Sequence, residues 1–224
     1  MSRTLRNTRR SPAVLLVAIL CALGLATSAQ AASQTVLSLR LDETSGRTAY
    51  DSSGLKNHGT FGSGVTVGQK GSSYLFTTGH ITVKTASSLN PGTKPFSFSL
   101  DVAWDTRVPT SAARDVDLMR KGLASTSGGS YKMELKPQPT CFFKGAGATE
   151  KYVASSRNVL DGAFHSITCR RSGSTLSITV DGATTSRSIA IGTIGNSSPL
   201  TIGSKPDGGD QTRGYLRNVR VAVG

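Results

Sequence analysis

The chain has 224 residues, of which 37% are hydrophobic, 17% charged and only 6% aromatic. This size and composition fit one globular domain and argue against a two-domain enzyme. The 25 glycines and 8 prolines make the chain rich in turns, yet its mean hydropathy of -0.15 is too high for general disorder. With 26 basic and 13 acidic side chains the formal net charge is +13, which favours anionic partners.

The first 31 residues have the pattern of a secretory signal peptide. Four arginines without an acid precede an apolar run from Pro12 to Leu25, and the small-residue sequence Ala29-Gln30-Ala31 follows. About 14 apolar residues are too few for a membrane span, which needs roughly 20. We therefore expect residues 1–31 to be removed and the mature protein to be secreted, without a membrane span. Loss of the four arginines leaves 22 basic against 13 acidic side chains, a net charge of +9.

Cys141 and Cys169 are the cysteines that remain after this cleavage. Because an exported protein meets an oxidising compartment, we predict that they form one disulfide, which closes a loop of 28 residues. In the chain-entropy description such a link contributes roughly 3 to 4 kcal/mol to stability. Two cysteines so far apart do not indicate a zinc site.

Apolar and polar residues alternate with a period of two along residues 35–224. In the clearest stretch, Phe96–Trp104, large apolar residues alternate with small or polar ones, as in a half-buried strand. Similar stretches that we predict as strands are Val36–Leu41, His80–Lys84, Tyr131–Leu135, Ala163–Arg170, Leu176–Val180, Leu200–Gly203 and Tyr215–Val223. Glycine-containing turn signals separate them. This pattern predicts an all-β fold, namely a two-sheet antiparallel β-sandwich of the jelly-roll kind.

Several short motifs occur in the order found in one known family. Leu41-Asp-Glu-Thr-Ser-Gly46, Tyr50-Asp-Ser-Ser-Gly54 and Asn57-His-Gly-Thr60 resemble the amino-terminal signature of laminin G-like jelly-roll domains of the concanavalin A-like lectin/glucanase superfamily. Asp161-Gly-Ala-Phe-His165 and Leu176–Gly182 resemble later motifs of that family, and the resemblance covers residues 35–224. The stretches around Arg120 and Cys141 further resemble secreted single-domain actinobacterial members with one disulfide.

This resemblance implies a secreted, monomeric and non-catalytic recognition module for carbohydrate, such as a cell-wall polymer. The mature charge suits an anionic polymer of this kind. Nucleic acid is not the expected partner, because the basic residues are scattered and are not interleaved with exposed aromatic residues. A structural envelope protein without a small ligand and a glycoside hydrolase remain the alternatives.

Strand phase predicts a polar face that a ligand could contact. Its predicted ligand-binding residues, which oppose the apolar side chains of their own strands, are Asp101, Asp117, Lys132 and Glu134, with Ser97, Ser99 and Asp115 beside them. Adjacent strands would bring such residues within about 5 to 10 Å of each other on one outer face. A solvated sheet surface is the alternative interpretation.

The hydrolase alternative depends on two carboxylates. The Glu-x-Asp-x-x-Glu strand motif of glucanases on this fold is absent. Asp115 and Asp117 are two residues apart on a predicted strand, so they would face the same side at about 6 to 7 Å, near the lower limit for an inverting pair. We interpret them instead as part of the solvated polar face.

Two further features have two interpretations each. Trp104 shares the apolar phase of its strand and is predicted to be buried, which leaves Phe142, Tyr152 and Tyr215 as candidate platforms for a sugar ring. Calcium is common in related lectin-like domains, and Asp51 is the best ligand candidate by position. An aspartate that caps a turn through backbone N–H groups explains Asp51 equally well.

Overall fold

The computed structural model describes residues 33–224, together with Met1. The predicted signal peptide, residues 1–31, therefore lies outside the described residues apart from Met1. Within residues 33–224 the chain forms sixteen strands in two antiparallel sheets, so the predicted all-β sandwich is confirmed. Two short 3-10 turns, Ser87–Leu89 and Thr110–Ala112, are the helical elements of this range. No helix there is long and apolar enough to cross a membrane.

Sheet A contains eight strands. They are β1 (Gln34–Leu39), β4 (Val65–Gln69), β5 (Ser73–Phe76), β7 (Phe96–Trp104), β12 (His165–Ser172), β13 (Thr175–Val180), β14 (Ala183–Ser188) and β16 (Gly214–Val223). Their order across the sheet is β14-β13-β12-β7-β16-β5-β4, and β1 also pairs with β16. The central pair of β7 and β16 contains the register shift between Arg217 and Arg220, which re-aims the side chains of β16.

Sheet B also contains eight strands. They are β2 (Thr48–Ala49), β3 (Gly59–Phe61), β6 (Ile81–Val83), β8 (Val116–Lys121), β9 (Ser130–Leu135), β10 (Pro139–Lys144), β11 (Lys151–Ala154) and β15 (Leu200–Ile202). Their order is β11-β10-β9-β8-β15-β6-β3-β2. Neighbours in both sheets are distant in sequence in several places, as expected where connections cross from one layer to the other.

The core lies between the sheets and follows the predicted alternation. In β7 the inward set includes Phe98, Leu100 and Trp104, whereas Ser97 and Ser99 point away from the core. Trp104 is only 1% exposed, and its Nε1 donates to the carbonyl of Val108 at 2.9 Å, which confirms its predicted burial. Edge-to-face and tilted aromatic contacts bring residues of both sheets together at the centre, namely Phe96, Phe98, Tyr131 and Phe143.

The predicted disulfide between Cys141 and Cys169 is confirmed. Cys141 lies on β10 of sheet B and Cys169 on β12 of sheet A, with 5.7 Å between their Cα atoms. Both residues are fully buried. The link therefore joins the two layers through the core.

Two buried cations fasten loops to the sandwich. Arg171 lies over the Phe96 ring at 4.8 Å and donates to the carbonyl of Gly92 at 2.8 Å. Lys121 donates to the carbonyls of Asn196 at 3.1 Å and Ser198 at 2.7 Å, and burial lowers its pKa to about 8. Since their partners are backbone carbonyls, these side chains hold structure rather than present charge.

Candidate functional site

The structure separates Asp101 from the other predicted ligand-binding residues. Asp101 lies on the outer face of sheet A, where its carboxylate accepts hydrogen bonds from Arg217 Nε at 3.2 Å and Asn218 Nδ2 at 2.8 Å. The other three lie on β8 and β9 of sheet B. The prediction that all four share one face is therefore wrong, because strand phase indicates that a side chain points outward but not which sheet carries it.

On sheet B the other three residues do come together. Asp117 lies directly opposite Glu134, and Arg120 lies directly opposite Lys132. A bulge in β8 between Asp117 and Met119 adds one residue to the strand. Asp117 and Arg120 therefore point to the same side although they are three residues apart, an arrangement that a regular strand would not give.

These four side chains form a buried ionic cluster. Arg120 Nη1 donates to Asp117 Oδ2 at 2.6 Å, and Lys132 forms an ion pair with Glu134. Burial raises the pKa of Asp117 to about 7 against the opposing effect of the Arg120 and Lys132 charges, and burial also raises the pKa of Glu134. Both carboxylates have no solvent-exposed surface.

Part of this cluster has unused hydrogen-bonding capacity. Among residues 33–224, Asp117 Oδ1, Glu134 Oε1 and Arg120 Nε are buried and have no hydrogen-bond partner. Each buried polar atom left without a partner costs about 1 to 3 kcal/mol.

An aromatic pair continues the same face beyond the cluster. Phe142 on β10 lies opposite Lys132 and also opposite Tyr152 on β11, and the two rings are 5.7 Å apart. Lys132 Nζ lies 4.4 Å from the centre of the Phe142 ring, and Arg187 lies 5.2 Å from the Tyr152 ring. Tyr152 is 51% exposed, whereas Phe142 is almost buried. The result is a pair of rings, of which Tyr152 is accessible, with Arg187 at the Tyr152 ring and Lys132 at the Phe142 ring.

A cleft of about 610 Å³ opens at one end of this face. It is lined by the residues that precede β8 or follow β9, with Leu160 closing it: Thr110, Ser111, Arg114, Pro137 and Leu160. A volume of this size suits a small ligand or one part of a polymer.

The structure gives no support to the predicted alternative of an Asp115–Asp117 catalytic pair. Asp115 is exposed and precedes β8, whereas Asp117 is fully buried beneath the neighbouring groups. A glycosidase needs both carboxylates in contact with the sugar. Asp117 is also committed to Arg120, so it is not free to act on a substrate.

Asp51 uses both carboxylate oxygens within the protein. Oδ1 accepts from the N–H groups of Ser38 at 2.8 Å and Ser53 at 2.9 Å, while Oδ2 accepts from Ser53 Oγ at 2.7 Å and the Asn57 N–H at 2.8 Å. Burial raises the pKa of Asp51, but these hydrogen bonds outweigh it and hold the pKa below its ordinary value.

These bonds fit the turn-capping interpretation of Asp51, because a cation would have to displace them. Within the part of the chain that the structure describes, no three His, Cys, Asp or Glu side chains are grouped as metal ligands. The calcium interpretation stays a prediction, which a melting comparison can test.

Sequence reasoning missed part of this site for identifiable reasons. Arg120 was missed because of the bulge. It lies three residues after Asp117, and in a regular strand that spacing would place it on the opposite face of the sheet. Arg187 reaches the Tyr152 ring from β14, which belongs to the other sheet. For the aromatic pair, the sequence showed only that Phe142 and Tyr152 do not belong to an alternating set of apolar residues, which left them as candidate exposed rings.

The comparisons with known proteins agree with this architecture. A family model described as the concanavalin A-like lectin/glucanases superfamily, of the laminin G type, matches residues 75–222. A search of curated protein sequences finds no match.

Solved binding domains have similar folds. The binding domain of Paraclostridial Mosquitocidal Protein 1 has a TM-score of 0.64 at 16% identity, and that of botulinum neurotoxin serotype D a TM-score of 0.64 at 10% identity. Both similarities cover 84% of this chain, which spans only 48% of each toxin domain.

A third structure matches almost throughout. Domain 4 of AbnA, an extracellular arabinanase from Geobacillus stearothermophilus solved in complex with arabinotriose, has a TM-score of 0.57 at 13% identity. The similarity covers 86% of this chain and 93% of that domain. At these identities the likeness shows the fold alone. The family match over residues 75–222 shows that this chain belongs to the laminin G-type family of the concanavalin A-like lectin/glucanase superfamily.

Proposed function

We propose that this protein is a secreted, non-catalytic module of the single-domain type that binds carbohydrate on the outer face of sheet B. The proposed site consists of the Tyr152 and Phe142 rings, the Lys132–Glu134 ion pair and Lys136. Its ligand is the glycan part of a cell-wall or other extracellular polymer.

The observation that carries the proposal is the exposed Tyr152 ring, set in register with charged groups on a rigid sheet. A pyranose or furanose ring has an apolar face that packs on an aromatic ring, and hydroxyl groups at its edge that need polar partners. Tyr152 supplies the first. Lys132, and Lys136 with its Nζ 5.8 Å from the centre of the Phe142 ring, stand within two strands of Tyr152 to supply the second, and the buried Glu134 carboxylate holds Lys132 in place.

Geometry also favours binding over catalysis. Among residues 33–224, the buried carboxylates near the proposed platform are those of Asp117 and Glu134, which are fixed by cations and have no exposed surface. Two of the similar structures described above are binding domains, and the third, a domain of an arabinanase, was solved in complex with arabinotriose. The leader-like pattern of residues 1–31 and the disulfide support export from the cytoplasm.

A glycan array combined with a reducing-sugar assay tests the proposal. Retention of a glycan without release of reducing sugar is expected. Release of reducing sugar would favour the hydrolase alternative, and neither retention nor release would favour the structural envelope alternative.

Tyr152→Ala identifies the site, with Tyr50→Ala as its matched control. Tyr50 is 61% exposed and makes an edge contact with His58, so the same substitution there removes an equivalent ring elsewhere on the surface. We expect Tyr152→Ala to weaken binding of the retained glycan by roughly tenfold, the effect of losing one stacking contact. Equal affinities for the two variants would reject this site.

A further inference from the structure

A line of cations crosses the outer face of sheet A, away from the proposed sugar site. We call it the basic track, and its members are Arg170 on β12, Arg220 and Arg217 on β16, and Lys70 in the loop between β4 and β5. In register, Arg170 lies opposite Ser97, Arg220 opposite Ser99 and Arg217 opposite Asp101 on the central strand β7. Lys70 lies near Tyr215, which pairs with Ala103. The track therefore runs along β7 from Ser97 to Ala103, six residue steps or about 20 Å.

The positive charges of the track outnumber the carboxylates near it that are free to neutralise them. Its nearest carboxylates are already used, since Asp101 accepts from Arg217 and Asp105 holds Arg107 through bonds of 2.9 and 2.8 Å. Among the described residues, the Arg170 side chain makes no hydrogen bond or ion pair, and the hydrogen bonds of the Arg220 side chain go to the hydroxyl of Thr35. Exposed cations without counter-charges on one face attract anions.

Aromatic rings hold one end of the track, formed by Arg217 and Lys70, in place. Arg217 lies 3.9 Å from the centre of the Phe164 ring, and Lys70 lies 5.9 Å from the same ring and 5.7 Å from the Tyr215 ring. Lys70 Nζ also donates to the Gly162 carbonyl at 2.5 Å. These contacts reduce the conformational freedom that each cation would lose on binding a ligand.

Small hydroxyl residues surround the track. Residues paired across β14, β13, β12 and β7 form rows on this face. One row contains Thr184, Thr179, Thr168 and Ser99, and the next row contains Ser186, Ser177, Arg170 and Ser97. No large side chain in these rows shields the arginines, and the hydroxyls can donate to and accept from a ligand's own hydroxyl groups.

We propose that the basic track binds a linear acidic polysaccharide with carboxylate groups, such as a polyuronate. Arginine forks match carboxylates with two parallel hydrogen bonds, and the adjacent serines and threonines match sugar hydroxyls. Nucleic acid fits less well, because the Phe164 and Tyr215 rings lie beneath Arg217 and Lys70 and are not available for stacking bases. This site is independent of the one proposed on sheet B.

Titration with polygalacturonate at low salt tests the track in the Arg170→Gln/Arg220→Gln double variant. Lys56→Gln/Lys84→Gln is the matched control, because it removes the same charge from exposed positions on the opposite side of the fold. We expect the track variant to bind at least about tenfold more weakly, with a salt dependence of log K shallower by about 1 to 2. The control should remain within about twofold of the parent protein.

Three results would overturn the proposal: no binding of polygalacturonate by the parent protein at low salt, equal losses in the two double variants, or binding of single-stranded DNA as tight as that of polygalacturonate. The third would assign the track to polyanions in general. The test is separate from the sheet B site, since Tyr152→Ala leaves the track intact and the track variant leaves Tyr152 intact.

Discussion

The outer faces of the two sheets carry charge in different ways. On sheet B the charged groups are buried and paired across strands, as Asp117 with Arg120 and Lys132 with Glu134. On sheet A, Arg170 and Arg220 stand exposed among small hydroxyl residues, and the Arg170 side chain makes no hydrogen bond or ion pair within residues 33–224. Buried pairs fix geometry at a cost in solvation, whereas exposed cations add little to stability but attract a distant anion.

This difference suggests that the two faces recognise different ligands. We expect ligand shape to dominate recognition on sheet B and ligand charge to dominate it on sheet A. A face with fixed pairs and one accessible ring suits a neutral sugar that needs an ordered set of contacts. A face with exposed arginines that outnumber its carboxylates suits a charged polymer, whose binding weakens as salt screens the charges. The predictions below test this contrast, beginning with the largest effect.

Removal of the disulfide should give the largest change, because both faces depend on the link between the layers. Cys141→Ser/Cys169→Ser is expected to lower the free energy of unfolding by about 3 to 4 kcal/mol. Urea unfolding measures this change, and the reduced parent protein serves as the control with intact side chains. A loss below about 1 kcal/mol would show that the sandwich does not rely on the link.

Carboxylate deletion should affect the two faces unequally. Glu134→Ala leaves Lys132 without its partner in a buried place, which we expect to cost about 3 kcal/mol. Asp101→Ala breaks a pair with the more exposed Arg217, and about 1 kcal/mol is expected. Thermal and urea unfolding compare the two variants. Similar losses would remove the distinction between a buried and a surface charge network.

His165 should make part of the stability depend on pH. It lies at the start of β12, where its ring nitrogens meet Asp181 Oδ2 at 2.7 Å and Asp161 Oδ1 at 2.9 Å. Burial lowers the pKa of His165, but the hydrogen bonds and charges of these two aspartates outweigh it and raise the pKa above its ordinary value.

The sign of the pH effect follows from this raised pKa. The stabilisation is fully present below the unfolded-state pKa of about 6.5 and is lost as pH rises through the folded-state value. His165→Gln should therefore cost about 1 kcal/mol at pH 5.5 and less at pH 8.5, as measured by urea unfolding at both pH values. An equal loss at the two pH values would mean that the imidazolium is not what the aspartates bind.

Calcium should have the smallest effect. Because four donors already satisfy the Asp51 carboxylate, we expect the melting temperature to be the same with calcium and with a chelator. A tight site would raise the midpoint. A calcium-dependent rise that Asp51→Asn abolishes would restore the metal interpretation of this residue.

Local pattern was sufficient to predict much of the fold. The stretch Phe96–Trp104 shows the alternation of a strand with one buried and one outer face, and it is β7 as predicted. A strand that is buried on both sides was not predicted, because β10 (Pro139–Lys144) has no alternation of apolar and polar residues to detect. The exposed strand β14 was also not predicted, because all its residues are small, polar or charged and it has no apolar face.

The site was harder to predict, because it depends on pairings between distant strands. Phase alone placed Asp117, Lys132 and Glu134 outward, and they do lie together on sheet B. It could not show that Asp101 belongs to the other sheet, nor that a bulge turns Arg120 toward Asp117. Register and sheet membership are set by long-range packing, which a single sequence does not encode locally.

Mapping the bound glycan by amide chemical shifts tests the central claim most directly. During titration of the isotope-labelled protein with a glycan that the array retains, the largest shifts are expected in Lys132–Lys136 and Lys151–Ala154, with none in β4 or β5 at the far edge of sheet A. Shifts confined to sheet A or to loops remote from Tyr152 would contradict the account.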